Sequence, residues 1–344
     1  MKILGIESSC DDTSVAIIDS KKKILSNERV SQDDIHKDYK GIVPELAARN
    51  HVSQIDKITQ RAFKKANISL DSIDIVSATA GPGLIGGLLV GLTFAKTIAQ
   101  VKKIPFIAAN HLEGHALTAR LLENIKFPYL LLLISGGHSG LYFLKDINEY
   151  VYLGGTLDDA VGEAFDKVAK ALELNFPGGP ELEKLALKGN ENAFKFPKPL
   201  VNKIDVNLDL SFSGLKSHVI SLIRNNQINL KSNSFKQDIA ASFQKTISLI
   251  LVNKLEKAIN FCNKKLLRYN NVVVSGGVAS NAYLRKSLIK TIESKNKKPF
   301  IPPAKLCTDN GAMIAWAGFE RYREGLVSPL DFKARPRWPL EEKI

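Results

Sequence analysis

At 344 residues the chain exceeds the size at which a single hydrophobic core usually keeps growing, so two domains are expected. Its hydrophobic fraction of 44% is that of an ordinary globular protein, and no apolar run approaches the ~18 residues of a helical membrane span, so a chain built on membrane-spanning helices is not expected. A net charge of +13 points to an acidic partner such as nucleic acid, although runs such as Lys21-Lys22-Lys23 and Asn296-Lys297-Lys298 read equally well as solvated faces.

The chain opens on the strand-like Lys2 to Ile6 with no room for a signal peptide, and its three cysteines, Cys10, Cys262 and Cys307, form no CxxC. A cytoplasmic location, or a matrix-like compartment, with free thiols is therefore expected, without disulfides or a thiolate zinc knot. Strands are predicted at Ile3 to Glu7, Val15 to Asp19 and Ile24 to Val30, then a helix from Pro44 to about Ala66, a strand from Ile73 to Ala80 and a helix from Leu84 to Val101. The middle repeats this scheme with Tyr129 to Ile134, Gly140 to Leu144, Val151 to Leu153, helices, and the buried-strand pattern Val272 to Ser275. Meander first and βαβ afterwards, twice over, predicts an α/β protein of two duplicated ribonuclease-H-like domains flanking a nucleotide and metal cleft, as in actin, sugar kinases and Hsp70-type ATPases. The expected boundaries are 1–110 and 111–344, with a helical insertion around 158–262 and a final helix, from about 309, returning to the first domain.

Glycines fall where such a cleft needs uncovered backbone amides. Ser135-Gly136-Gly137-His138 follows one strand and Ser275-Gly276-Gly277-Val278 ends another, and both turns let main-chain N–H groups approach a phosphate. Tight turning alone would also explain either loop. Gly81-Pro82-Gly83, with Leu84, Ile85, Leu88 and Leu89 beside it, reads instead as close helix packing. Carboxylates accompany the loops. Glu7, Asp11 and Asp12 surround the first hairpin, and Asp158, Asp159, Glu163 and Asp166 lie in an acidic helix on which Asp159, Glu163 and Asp166 share a face. Asp11 and Asp12 read equally as turn formers.

Two of only six histidines, His111 and His115, stand four residues apart where a strand hands over to a helix, so both imidazoles face one side and can grip one ion. Asp309, ahead of the last helix, is the candidate third ligand, although an Asp there is also a plain helix cap. Two imidazoles and a carboxylate leave positions open for water or substrate, as in a catalytic site.

These motifs together resemble the TsaD-type tRNA adenosine threonylcarbamoyltransferases. The likeness runs over nearly the whole chain, carried by Gly5 to Thr13, Val43 to Arg49, Asn110 to His115, Ile134 to His138, Gly162 to Asp166, Phe176 to Pro180, Ser211 to Lys216 and Thr308 to Ala312. The resemblance implies transfer of threonylcarbamoyl from L-threonylcarbamoyl-AMP to the exocyclic amine of the adenosine beside the anticodon, in tRNAs reading ANN codons, with release of AMP. It implies metal ligands at His111, His115 and Asp309, holding Fe2+ or alternatively Zn2+. Substrate contacts are implied at Ile134, Ser135, Gly136, Gly137, His138, Asp166, Gly179, Glu183 and Asn281. Relatives often carry Asp at the position of Glu183 and Glu at that of Asp12. Implied partners are tRNA, a paralogous actin-like subunit and a small P-loop ATPase, of TsaB and TsaE type, with no membrane. Location alone makes Asp11, Asp12 and His138 candidates for the base.

Three rival readings follow from the same residues. An HExxH peptidase needs its glutamate next to the first histidine, whereas Glu113 is rotated by about 200° from His111 on a helix and points away from any ion. An actin-like small-molecule kinase or ATPase is the alternative on fold alone, but kinases hold Mg2+ with hard oxygen ligands rather than imidazoles. A non-catalytic tRNA-binding scaffold would need neither the histidine pair nor the glycine loops. Basic contacts to tRNA are expected from Lys216 and from Arg335 and Arg337, with Trp338 either offering a stacking face or packing onto the domain.

Overall fold

The computed structural model describes residues 1–39, 41–201, 207–226 and 232–343, so two stretches of the expected helical insertion lie outside the described residues. Among the described residues ten strands form two five-stranded mixed sheets. The first contains β1 (Lys2–Glu7), β2 (Thr13–Asp19), β3 (Ile24–Val30), β4 (Ile75–Gly81) and β5 (Phe106–Asn110), in the order β3-β2-β1-β4-β5. The second contains β6 (Tyr129–Ile134), β7 (Ser139–Asp146), β8 (Glu149–Gly155), β9 (Asn271–Ser275) and β10 (Lys298–Phe300), in the order β10-β9-β6-β7-β8. Read from the meander side, the two orders are the same. In both, the first strand pairs antiparallel with the second and parallel with the fourth.

Burial follows position in the sheet. Central β1, β4 and β6 are almost wholly buried and read as near-continuous apolar or small-residue runs, whereas edge strand β3, Ile-Leu-Ser-Asn-Glu-Arg-Val, keeps polar residues outward. The helices are α1 (Asp33–His36), α2 (Pro44–Ala66), α3 (Ile85–Lys102), α4 (His111–Leu122), α5 (Val161–Ala171), α6 (Gly178–Ala186), α7 (Ser213–Asn225), α8 (Asn233–Lys264), α9 (Ala282–Ser294), α10 (Ala304–Cys307) and α11 (Gly311–Arg323). α2 begins with Pro44 and ends at Asn67, whose φ of 53° closes it in the left-handed region. Its buried residues Ala47, His51, Ile55, Ile58 and Ala62 recur at helical spacing along one face. α11 lies against β1 so closely that a Cβ on Gly5 would come within 2.2 Å of the Gly311 carbonyl oxygen.

Several element boundaries differ from those predicted, two of them for a visible reason. β4 starts at Ile75 because Leu70–Ser72 form a 3-10 turn, and β8 is longer than Val151 to Leu153 because it completes the meander. The chain forms two compact units, Met1–Lys126 with Asp146–Tyr150 and Thr308–Ile344, and Phe127–Lys145 with Val151–Cys307. In the first unit Asn110 ends β5 and caps α4 without an intervening linker. No described helix is long and apolar enough to cross a membrane.

Candidate metal centre and nucleotide loops

In the first unit β1, β4 and β5 run parallel, so their carboxyl ends bring Glu7, Gly81 and Asn110 to one edge of the sheet. Asn110 Oδ1 accepts the amides of Leu112 at 2.8 Å and Glu113 at 3.4 Å, which starts α4 at His111. One turn later comes His115, its ring centroid 4.8 Å from that of His111. Asp309 is not the cap of α11. That role belongs to Asn310, whose Oδ1 accepts the Met313 amide at 3.0 Å, leaving the Asp309 carboxylate to turn towards the histidines.

Asp309 Oδ1 lies 3.5 Å from His111 Nε2 and 3.1 Å from His115 Nε2, and one ligand atom from each residue falls within 4.8 Å of the others. Bonds of about 2.0–2.1 Å to a tetrahedral ion require ligand atoms ~3.3 Å apart; both Asp309 separations match this, and the widest separation would have to close for the set to hold a divalent transition metal. A further layer supports this fit. His111 Nδ1 is 2.9 Å from Glu7 Oε2 and 3.1 Å from Ser9 Oγ. Glu7 in turn accepts the Thr79 hydroxyl at 2.6 Å and the Ser9 amide at 2.6 Å. With its proton on Nδ1 and directed at Glu7, His111 presents Nε2 as the ligand, an arrangement in which a carboxylate sets ring tautomer and orientation.

The electrostatics agree with a cation seat. Burial alone would lower the pKa of His111, but the Asp309 and Glu7 carboxylates outweigh it and raise it to about 9. Burial opposes ionisation of Asp309, yet His111 and His115 hold its carboxyl far below the usual range. Nearby, Asp12 is pushed up to about 8 by burial, with Asp309 and Asp11 adding to the push and Arg29, 2.8 Å away, only partly opposing it. Asp11 rises too, through burial and then the charge of Asp309. Arg29 also donates to Thr308 Oγ1 at 3.1 Å. Ser9, Thr79 and Arg29 are not legible as functional residues in the sequence, because isolated Ser, Thr and Arg positions carry no local signal.

In the second unit Leu133 pairs with Ser275, so the loops after β6 and β9 leave the sheet side by side. Ile134, the last residue of β6, is fully buried. The next turn closes on itself through the Ser135 amide to the His138 carbonyl at 2.8 Å and the His138 amide to Ser135 Oγ at 3.1 Å. The Ser135 and Gly136 carbonyls accept the Gly162 and Glu163 amides, each at 3.2 Å, which fixes the loop on α5. A Cβ on Gly136, Gly137 or Gly179 would meet nothing within 4 Å, and none of these glycines has a left-handed φ. Neither packing nor strain explains them, which leaves room for a ligand. Asp166 accepts the Gly178 amide at 2.9 Å and so steadies the start of α6. Asn281 caps α9 through the Leu284 amide at 3.0 Å and bonds Gln244 at 2.8 Å, while Glu183 accepts the Ala282 amide at 2.7 Å. Those last two side chains hold the helix after the second glycine loop.

Several sequence expectations need correction. α5 begins at Val161, so Asp158 and Asp159 precede it, and no shared face of three carboxylates exists. Asp158 accepts from Ser211 Oγ at 2.6 Å, Ser213 Oγ at 2.7 Å and the Phe212 amide at 2.8 Å, so it anchors α7. Asp159 pairs with Lys167 at 3.0 Å and Lys216 at 2.6 Å, so the Lys216 charge is already matched. Trp338 is 3% exposed and cannot offer a stacking face. Arg335 lies over its ring and bonds Glu342, leaving Lys333 and Arg337 as exposed cations of the segment 333–338.

The profile described as "TsaD: tRNA N6-adenosine threonylcarbamoyltransferase" matches residues 23–316. The chain belongs to this TsaD family. Enzymes of that name from Rickettsia bellii (strain OSU 85-389) and Rickettsia rickettsii (strain Sheila Smith) are 53% identical over 343 residues and 51% identical over 345, each match covering 99% of both chains. Component A of the (R)-2-hydroxyglutaryl-CoA dehydratase of Acidaminococcus fermentans superposes with a TM-score of 0.53 at 15% identity, over 94% of this chain and 99% of that one. That likeness concerns the fold alone, the actin-like ATPase fold expected from the duplicated topology. TsaD membership makes the chain a tRNA-modifying acyltransferase and sets aside the kinase, peptidase and scaffold readings.

Proposed function

We propose that the acyl donor is L-threonylcarbamoyl-AMP and the acceptor the exocyclic amine of the adenosine adjacent to the anticodon, in tRNAs reading ANN codons. That amine is a poor nucleophile because its lone pair is delocalised into the ring, so the carbonyl it attacks must be activated, as in a mixed anhydride with AMP. Its nitrogen forms the new bond to the carbamoyl carbon. The bond from that carbon to the phosphate oxygen breaks, AMP leaves with the electron pair, and the amine proton passes to a base. Asp12, with Asp11 beside it, is the proposed base: burial and neighbouring carboxylates raise its affinity for a proton. His138 is the second candidate, by its place in the glycine loop.

In the second unit the amides of Ser135 to His138 would hold the phosphate and nucleoside in the open space at Gly136 and Gly137. Asp166, Gly179, Glu183 and Asn281 complete that substrate set, the last two by holding α9 in place. In the first unit His111, His115 and Asp309 would hold the ion, with Glu7 orienting His111. A divalent cation there would supply positive charge to an anionic ligand. Two imidazoles and one carboxylate with open positions favour Fe2+, with Zn2+ as the alternative. A cytoplasmic enzyme working with TsaB- and TsaE-type partners completes the proposal.

The observation that carries the metal assignment is Asp309 Oδ1 at 3.1 Å from His115 Nε2, with His111 locked by Glu7. The reaction is tested by incubating purified protein with synthetic threonylcarbamoyl-AMP and unmodified tRNA, with and without the two partners, followed by nucleoside mass spectrometry. Threonylcarbamoyladenosine formed together with AMP is expected. Modification from another acyl donor but not from this one would overturn the proposed substrate.

A further inference from the structure

We infer that Glu113 and Arg321 are positioning residues for the ion site, forming a buried ion pair that sets how the helix carrying both histidines seats against the helix that follows Asp309. This rests on the metal reading above.

Glu113 sits between the two ligands in sequence, and at 100° per residue it lies on the opposite side of α4 from both. Its carboxylate is 1% exposed in a protein interior, yet it does not approach the ion site. Instead Glu113 Oε1 accepts the Tyr150 hydroxyl at 2.7 Å, and Arg321 Nη1 donates to Oε1 at 3.3 Å and to Oε2 at 3.2 Å. Tyr150 and Arg321 belong to the same compact unit as α4, and Arg321 is 5% exposed. Burying two charges costs several kcal/mol per ion before their attraction is counted, and apolar residues of similar volume often serve stability as well or better. What such a pair supplies over an apolar contact is direction.

The surrounding contacts use that direction. Between the histidines, Gly114 lets α11 come so near that a Cβ there would meet Ile314 Cδ1 at 2.9 Å. Further along α4, Arg120 grips Glu320 with two hydrogen bonds of 3.0 Å. The two pairs have opposite polarity, acid on α4 to base on α11 and then base on α4 to acid on α11. Sliding or rotating one helix against the other therefore separates partners and brings like charges together. Because the Glu113 anchor is on the back of α4, it fixes the rotation at which His111 and His115 face Asp309. A metal set tolerates only about 0.5 Å of misplacement.

The test uses Co2+ as the probe on metal-free protein. Binding is followed by visible absorption and by competition with a chelator, alongside thermal melting of the metal-free form. The variants are Glu113→Gln, Arg321→Met and the double variant Glu113→Leu/Arg321→Met. All three should bind Co2+ about ten- to a hundred-fold more weakly, with altered absorption bands. The double variant should melt higher than either single one without recovering affinity. If the double variant recovers affinity and bands along with melting temperature, or if all three bind as the wild type does, the pair serves stability only and the inference fails. Should the single variants not fold, the double variant decides alone by the same two readouts. Absence of Co2+ binding to the wild type would instead remove the metal reading itself.

Discussion

Glu7 Oε2 stands 2.9 Å from His111 Nδ1, so the end of the first strand fixes a ring on the fourth helix, 104 residues away in the chain. Glu7→Gln keeps the shape and the Thr79 contact but removes the charge that holds the proton on Nδ1. Metal affinity should fall about ten- to a hundred-fold with the fold retained. Asp309→Ala should remove the ion and abolish transfer, since it takes away one of the three proposed ligands. Elemental analysis after dialysis reads both, and full occupancy in Asp309→Ala would place the ion elsewhere.

Gly137 and Gly276 should respond in opposite ways. Gly276 has φ 99° and the Ile134 carbonyl oxygen 2.3 Å from its would-be Cβ, so Gly276→Ala should destabilise the fold by about 1–3 kcal/mol. Gly137→Val meets open space and should leave the melting temperature near that of the wild type while weakening AMP binding by tenfold or more. Calorimetric titration with AMP against tRNA binding checks this. Equal losses of the two ligands would take the loop out of the nucleotide site.

Asp158 makes acid stability predictable. Burial works against its charge, but hydrogen bonds from Ser211, Ser213 and the Phe212 amide outweigh it and lower its pKa to about 2. Because the folded value is depressed, the stabilisation is full above the unfolded value near 4 and is lost as pH falls from there towards 2. The residue is exposed, so solvent screening reduces the effect to the order of 1 kcal/mol. Asp158→Asn should lower stability at pH 7 by that amount and flatten its dependence on pH between about 4 and 2. Chemical denaturation across that range measures the difference, and parallel curves for the two proteins would deny Asp158 this role.

The C-terminal tail should divide by residue. Trp338 packs into the first unit, with its carbonyl oxygen 3.1 Å from Asn110 Nδ2, so Trp338→Ala should cost about 3–5 kcal/mol of stability. Arg337→Ala should leave stability unchanged, weaken tRNA binding and reduce the salt slope by about 1, as the loss of one phosphate contact does. Replacing Lys21, Lys22 and Lys23 should alter the salt slope less. Filter binding at several salt concentrations compares them, and a larger loss from the lysine variant would move the tRNA face to that hairpin.

The sequence by itself determined the duplicated strand and helix order, both glycine loops, and the candidacy of His111, His115 and Asp309. Each depends on short-range regularities: alternation within a strand, a four-residue helical repeat, a glycine after a buried run. It also placed Glu113 on the far side of α4 from the histidines, by helical geometry alone. What it left open was partnership. Asp309 and Asn310 are both capping residues in type, and only the path of the chain into α11 gave the cap to Asn310 and left the Asp309 carboxylate beside the histidines. Lys216 resembled a free cation until Asp159 was found 2.6 Å away, and Trp338 an available ring until its burial against Phe332 and the first core. Periodicity is written between neighbours in the chain, whereas charge neutralisation and burial depend on residues tens or hundreds of positions apart. Tertiary structure alone decided which polar side chains remained for chemistry.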